Sequence, residues 1–222
     1  MKLIELKQVT KTFDDGRKKI EALKETNFSV EEGEFVAVIG PSGSGKSTFL
    51  TIIGGLQTPT EGLVYINEEK FSELEEKKRA KKRFDEIGFI LQASNLIPFL
   101  TVKDQLRLVN KINRSNFDKN NAKALLDELK INELSDKFPS DLSGGERQRA
   151  AIARALYHDP SVILADEPTA SLDTDRAFEV VEILGRETKK KKKATIMVTH
   201  DERLTDYCDT VYVMKDGVLS KK

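Results

Sequence analysis

The eight residues Gly40-Pro41-Ser42-Gly43-Ser44-Gly45-Lys46-Ser47 constrain this chain more than any others. They read G-x-x-x-x-G-K-S, a loop whose backbone N–H groups gather around a phosphate. Ahead of the loop, Phe35-Val36-Ala37-Val38-Ile39 is an unbroken apolar run, the pattern of a strand buried on both faces. Behind it, residues 48–54 are helix-compatible, with Phe49, Leu50, Ile52 and Ile53 as apolar positions. A strand that passes through glycines into a helix start offers an anion orphan N–H donors and the positive end of the helix dipole. In that setting Lys46 is expected to neutralise the β- and γ-phosphates of a nucleotide and the Ser47 hydroxyl to ligand Mg²⁺. The expected nucleotide-binding set is Gly40, Pro41, Ser42, Gly43, Ser44, Gly45, Lys46, Ser47 and Thr48. A glycine-rich turn that serves structure alone does not need Lys-Ser at this offset.

At 222 residues the chain suits one compact α/β domain, or a core with an inserted subdomain. Lys plus Arg and Asp plus Glu both number 37, so bulk charge makes no case for a nucleic-acid partner. No apolar run approaches the roughly 20 residues that span a bilayer, and Met1-Lys2-Leu3 opens no signal peptide. The lone Cys208 excludes an internal disulfide and a cysteine metal cluster, and it fits a reducing compartment. These features predict a soluble cytoplasmic protein whose membrane role, if any, comes through a partner.

In chain order, residues 3–13 and 20–30 read as short strands broken by the turn Asp14-Asp15-Gly16. Residues 63–67 form another short strand, and residues 68–83, dense in mixed charge, a solvated helix or loop. Leu96-Ile97-Pro98-Phe99-Leu100 is apolar but interrupted by proline, so it is not a helix interior. From Val102 to about Leu156 the spacing is helical, with Leu106, Val109, Ile112, Ala122, Leu125, Leu126 and Leu129 as apolar positions, which suggests a helical insertion. Residues 176–186 read as a crossover helix, and the lysines at 189–193 as a solvated connection without the aromatics of a nucleic-acid patch. His158, beside Asp159-Pro160, reads as a surface or cap residue. The end of the chain is a hairpin across Asp216-Gly217.

Four apolar runs stop on a polar residue: at Gly40, Gln92, Asp166-Glu167 and His200. Ligands of open parallel sheets bind at the carboxyl ends of strands, so strands sharing one sheet would bring all four together. Singly, a cap, a surface amide or a satisfied histidine explains each. Jointly, beside a phosphate loop, they predict phosphoryl chemistry: Asp166 on Mg²⁺, Glu167 polarising the attacking water, His200 donating to the γ-phosphate, and Gln92 reaching Mg²⁺ or the water. Leu142-Ser143-Gly144-Gly145-Glu146 opens an Ala-rich helix and is a second, weaker anion site. Two phosphate elements in a chain with one phosphate loop suggest a nucleotide sandwiched between two copies.

The set GPSGSGKS at 40–47, Gln92, LSGGE at 142–146, VILADE at 162–167, SLD at 171–173 and His200, in this order, resembles the ATP-binding subunits of ABC transporters over almost the whole chain. The resemblance implies an α/β fold: a P-loop NTPase (RecA-like) core with an N-terminal antiparallel β subdomain and an inserted α-helical subdomain. Residues 1–92 and 157–222 would form the core with its β subdomain, and residues 93–156 the helical subdomain. It also implies a head-to-tail homodimer with two ATPs at the interface. Ser143, Gly144 and Gly145 of one copy would approach the γ-phosphate held by the other, and Asp173 would link the sites. Phe13 matches the position where an aromatic stacks on adenine. The family usually has Tyr there and Gln where Glu146 stands.

LSGGERQR, ADEPTASLD and residues 87–92 resemble the macrolide-exporter and lipoprotein-release group, which works with a four-helix permease bearing a large extracytoplasmic domain. Residues 88–109 and 165–175 resemble the ATPases of bacterial haem exporters. This implies a peripheral ATPase on the cytoplasmic face of the cell membrane, exporting haem, drugs or other hydrophobic cargo. The other reading is an ATP-driven regulatory module of the cell-division type, acting on a membrane partner without transport.

Overall fold

The computed structural model describes residues 1–14, 16 and 18–222, so Asp15 of the expected 14–16 turn lies outside the described residues. The chain opens with two long antiparallel strands, β1 (Lys2–Asp14) and β2 (Lys19–Glu31). β3 (Phe35–Ile39), the phosphate loop and α1 (Lys46–Ile53) follow. Next come β4 (Glu61–Ile66), β5 (Glu69–Lys70), α2 (Glu76–Glu86) and β6 (Ile87–Ile90). Three helices occupy the middle of the chain: α3 (Val102–Asn113), α4 (Lys119–Glu128) and α5 (Gly144–Leu156). The remainder is β7 (Val162–Asp166), α6 (Thr174–Lys190), β8 (Ala194–Val198), β9 (Thr210–Lys215) and β10 (Val218–Lys221).

The strands divide into two sheets. One, ordered β2-β1-β4-β5, is antiparallel; the other, β10-β9-β3-β8-β7-β6, is parallel up to its antiparallel edge strand β10. Every residue of β3 and β8 is buried, as strands covered on both faces require. Because side chains alternate along a strand, the large sheet serves as a wall between two apolar cores. Phe35, Ile163, Ala165 and Met197 face a core shared with α3 to α6. Val36, Val38, Leu164, Ile196 and Val198 face a second core, closed by α1 and by Leu6, Val9, Val64 and Ile66 of the small sheet. The fold is therefore mixed α/β, with a small antiparallel sheet at its N-terminal end and the helices α3–α5 between β6 and β7.

Four sequence expectations need correction. The charged stretch at 68–83 hides Phe71, which is fully buried under α1 and the small sheet. Lys193, expected in a solvated connection, is 2% exposed; its ammonium donates to the Asp159 carboxylate and the Pro160 carbonyl. His158 is half-buried rather than on the surface, with its ring stacked on Phe84 at 5.8 Å. Ile112, placed on the apolar face of α3, is largely exposed. The terminal hairpin is as expected: Asp216 and Gly217 take φ of 49° and 77°, the two positive values of a type I′ turn.

Candidate functional site

The phosphate loop is held open by glycines that no other residue can replace. Gly40 has φ of +153°, and a Cβ there would lie 2.1 Å from the Met214 carbonyl oxygen. Gly45 has φ of +106°, and its Cβ would lie 2.4 Å from the Ala22 carbonyl oxygen. These backbone clashes cannot be relieved by a rotamer change. The loop ends in α1, whose N-cap is Gly45 with no side-chain cap. By contrast Thr101, Asp118, Ser143 and Asp173 cap α3, α4, α5 and α6 with their side chains. The orphan N–H groups of α1 are thus left for a ligand, with the positive end of its dipole behind them. The buried Lys46 ammonium donates to the Gly40 and Pro41 carbonyls at 2.7 and 2.8 Å, which keeps the cation at the loop.

A cleft of about 580 Å³ opens in front of the loop. Ser42, Gly43, Gly45, Lys46, Ser47 and Thr48 form one wall. Gln92, Asp166, Glu167 and His200 form the other, beyond the carboxyl ends of the parallel strands β6, β7 and β8. Of the four strand ends expected to converge, those at Gln92, Asp166-Glu167 and His200 line the cleft. Gly40, Pro41 and Ser44 sit at the base of the loop instead: Ser44 is 3% exposed and its N–H is turned back to the Pro41 carbonyl. Ala22, which also lines the cleft, carried no sequence signal.

Burial pushes the Asp166 carboxyl above its ordinary value, while the Ser47 hydroxyl and the Lys46 charge pull it down and the neighbouring Glu167 adds repulsion. Such a carboxylate favours a cation beside it. Ser47, Asp166 and Gln92 supply hard oxygen donors, the set that suits Mg²⁺ shared with phosphates and water. Glu167 takes φ of +49°, strained for a residue with a Cβ, and its N–H completes the ladder to the Val198 carbonyl at 2.9 Å. Its carboxylate lies 2.9 Å from Nδ1 of His200. A carboxylate accepts only, so Nδ1 carries the proton and Nε2 remains for a second partner.

Two expected groups lie elsewhere. Ser143 caps α5 by accepting from the Glu146 N–H, and its own N–H donates to the Glu146 carboxylate at 2.7 Å. A Cβ on Gly145 would stand 3.1 Å from Leu172, so the helix start packs against the 171–173 loop, whose Asp173 caps α6. Neither group lines the cleft. Phe13, near the end of β1, is exposed, with the Lys11 ammonium 5.1 Å above its ring, also outside the cleft wall. A third group carried no sequence signal. Gln148 and Arg154 of α5 and Gln105 of α3 hold the backbone on either side of Gln92. Among the described residues no helix is long and apolar enough to cross a membrane.

Comparison with known proteins agrees with this geometry. The ABC transporter family profile matches residues 23–170. A Staphylococcus haemolyticus protein carrying the name hemin import ATP-binding protein HrtA is 47% identical over 96% of this chain and 97% of its own length. The ABC transporter ATP-binding protein MJ0796 of Methanocaldococcus jannaschii is 42% identical over 99% of this chain and 96% of its own. A dimeric MJ0796 structure bound to ADP and Pi superposes with a TM-score of 0.92 at 39% identity, covering 98% of both chains. With its phosphate loop, its strand-end carboxylates and this likeness along its whole length, the chain belongs to the ABC transporter family, as an ATP-hydrolysing subunit.

Proposed function

We propose that the chain pairs head-to-tail with a second copy, binds two ATP with Mg²⁺ at the interface, and drives an integral-membrane permease from the cytoplasmic face of the membrane. The observation that carries the reading is the convergence of Gln92, Asp166, Glu167 and His200 on the Lys46 loop. Lys46 and the loop N–H groups hold the phosphates, and Ser47, Asp166 and Gln92 hold Mg²⁺. When bound, that ion neutralises charge between the β- and γ-phosphates. Glu167 draws a proton from the attacking water. The Nδ1–H of His200 pins the Glu167 carboxylate, and a donor at Nε2 toward the γ-phosphate requires both ring nitrogens to carry protons. Phe13 stacks on adenine. Ser143, Gly144 and Gly145 of one copy complete the site of the other, and Asp173 joins the two sites. The dimeric state of the solved MJ0796 cassettes supports the pairing.

The helical segment 93–156 moves against the core formed by 1–92 and 157–222, and the permease docks beside it. A groove of about 410 Å³ between α2, α3 and the end of α5 is lined by Phe84, Phe89, Leu108 and Ile112, with Arg83 and Arg154 and no carboxylate. Its chemistry fits an apolar helix of the permease that carries an acidic residue. Haem as cargo, carried by a four-helix permease with a large extracytoplasmic domain, is supported by the name of the staphylococcal relatives. That name says import, whereas the likeness to the macrolide-exporter group favours export. Haem flux measured in both directions in reconstituted vesicles decides between them.

The test of the chemistry is Glu167→Gln. Binding of ATP should persist, turnover should fall to background, and the ATP-bound dimer should accumulate on gel filtration. Wild-type turnover in that variant rejects the general-base role.

A further inference from the structure

The backbone on both sides of Gln92 hangs from one helix. Gln148 of α5, 1% exposed, donates its amide to the Leu91 carbonyl at 3.1 Å. Two turns further along the same helix, the Arg154 guanidinium donates to the Asn95 carbonyl at 2.8 Å and the Ser94 carbonyl at 3.1 Å. Beyond these, the fully buried Gln105 of α3 accepts from the Ile97 N–H and donates to the Ile97 and Leu100 carbonyls. The end of α5 packs closely on β6: a Cβ on Gly88 would lie 2.5 Å from the Ala155 carbonyl oxygen. The segment after Gln92 is therefore positioned by side chains projecting from α5 and α3.

Arg154 and Gln105 both line the groove, but Gln105 holds Ile97 and Leu100, farther from Gln92. Arg154 lies beside Phe84, Ile112 and His158 and holds Ser94 and Asn95, the carbonyls just after Gln92. Among the described residues it forms no ion pair, so neutral carbonyls alone hold its charge. A planar fork fixes the direction of both donors to the two successive carbonyls, an orientation that a freely rotating ammonium does not enforce. Whatever fills the groove bears on the guanidinium, and the guanidinium sets the path of residues 94 and 95.

We propose that Arg154 is the positioning residue through which occupation of this groove reaches Gln92 and adjusts ATP turnover. The inference rests on the ATPase reading and on the groove as docking site. It adds the side chain that connects the two. Misplacing a reacting group by about 1 Å costs on the order of 100-fold in rate, so a small shift of the fork is enough.

The test uses the full chain with Ile112→Cys at the exposed rim of the groove, labelled with a biphenyl maleimide as a surrogate occupant. Burial pushes the native Cys208 thiol up to about 12, which leaves position 112 as the reactive thiol. The label is expected to change kcat about threefold or more with KM for Mg·ATP within about twofold, the signature of positioning rather than binding. In the Ile112→Cys/Arg154→Lys chain the same label should leave kcat unchanged. Arg154→Lys alone should lower kcat less than Arg154→Gln, with both chains melting near the wild-type temperature. A label effect of equal size in both backgrounds overturns the proposal, as does no effect in either. If Arg154→Gln does not fold, the labelled pair still decides. Absence of hydrolysis in the unlabelled Ile112→Cys chain would count against the ATPase reading instead.

Discussion

The helices α1 and α5 both begin in glycine-rich sequence, yet their N-termini are in opposite states. That of α1 is uncapped, with Lys46 in its first turn and an open cleft before it. That of α5 is closed on itself: Ser143 and Glu146 satisfy each other's N–H groups, and a carboxylate already sits where an anion would bind. The Ser143 N–H, with its hydroxyl, holds the Glu146 carboxyl below its ordinary value. The first terminus is built to take a phosphate from solution within a single chain. The second can take one only if its own glutamate yields or shares. On the proposed pairing, affinity for nucleotide and engagement of the second copy fall to different helices, and they should separate under mutation.

The sharpest test of that contrast is glycine to alanine at each terminus. Gly45→Ala places a Cβ against backbone at positive φ, and ATP affinity should drop by about 100-fold or more in calorimetry. The nearest atom to a Cβ on Gly144 is 3.8 Å away, so Gly144→Ala should bind ATP normally. Equal losses would erase the distinction. Next, Asp166→Asn should raise the melting temperature of the ligand-free protein and remove the extra stabilisation that Mg²⁺ adds to ATP. The sign follows from a folded-state pKa above the unfolded one: the ionised carboxylate destabilises the fold at neutral pH, and that penalty fades as pH falls.

Smaller effects belong to α5. Ser143→Ala loses a cap worth about 1 kcal/mol, a few degrees of melting temperature, with ATP affinity of the single chain unchanged. Glu146→Gln keeps the hydrogen-bonding shape and removes the charge. In the Glu167→Gln background, sedimentation should show ATP-dependent self-association tightened about two- to fivefold, the scale of a helix-terminus charge. The contribution of ionised Glu146 to stability is present above its unfolded pKa and is lost as pH falls through the lowered folded value. Acid unfolding of Glu146→Gln should accordingly lack that portion of the decline.

Much of this was readable along the chain because it depends on local pattern. The buried strands β3, β7 and β8 are short, mostly apolar runs, and the polar residues at the ends of β7 and β8 mark the cleft. Ser143 with Glu146 three residues later is a capping signal in its own right. What escaped detection depends on contacts between distant segments. Phe71 was hidden by the charges around it; only its being a large aromatic hinted at burial. Lys193 is buried because its stem crosses to Asp159, which no lysine run announces. Gln105, Gln148 and Arg154 look like ordinary polar residues on helices, and their carbonyl partners at 91–100 carry no side-chain signature. Ala22 enters the cleft only because β2 runs past the loop.

Glu167 sits at φ of +49°, a conformation that suits glycine and disfavours every residue with a Cβ by roughly 1–2 kcal/mol. Natural drift and laboratory screening both respond to that difference. A lineage released from the need to turn over ATP would gain robustness by losing this side chain, and a library sorted for heat tolerance would enrich the same loss. Glu167→Gly should therefore outlast the parent in thermal unfolding while hydrolysing nothing. A stabilised version of this ATPase has to be selected with the reaction running, because survival alone rewards the broken one.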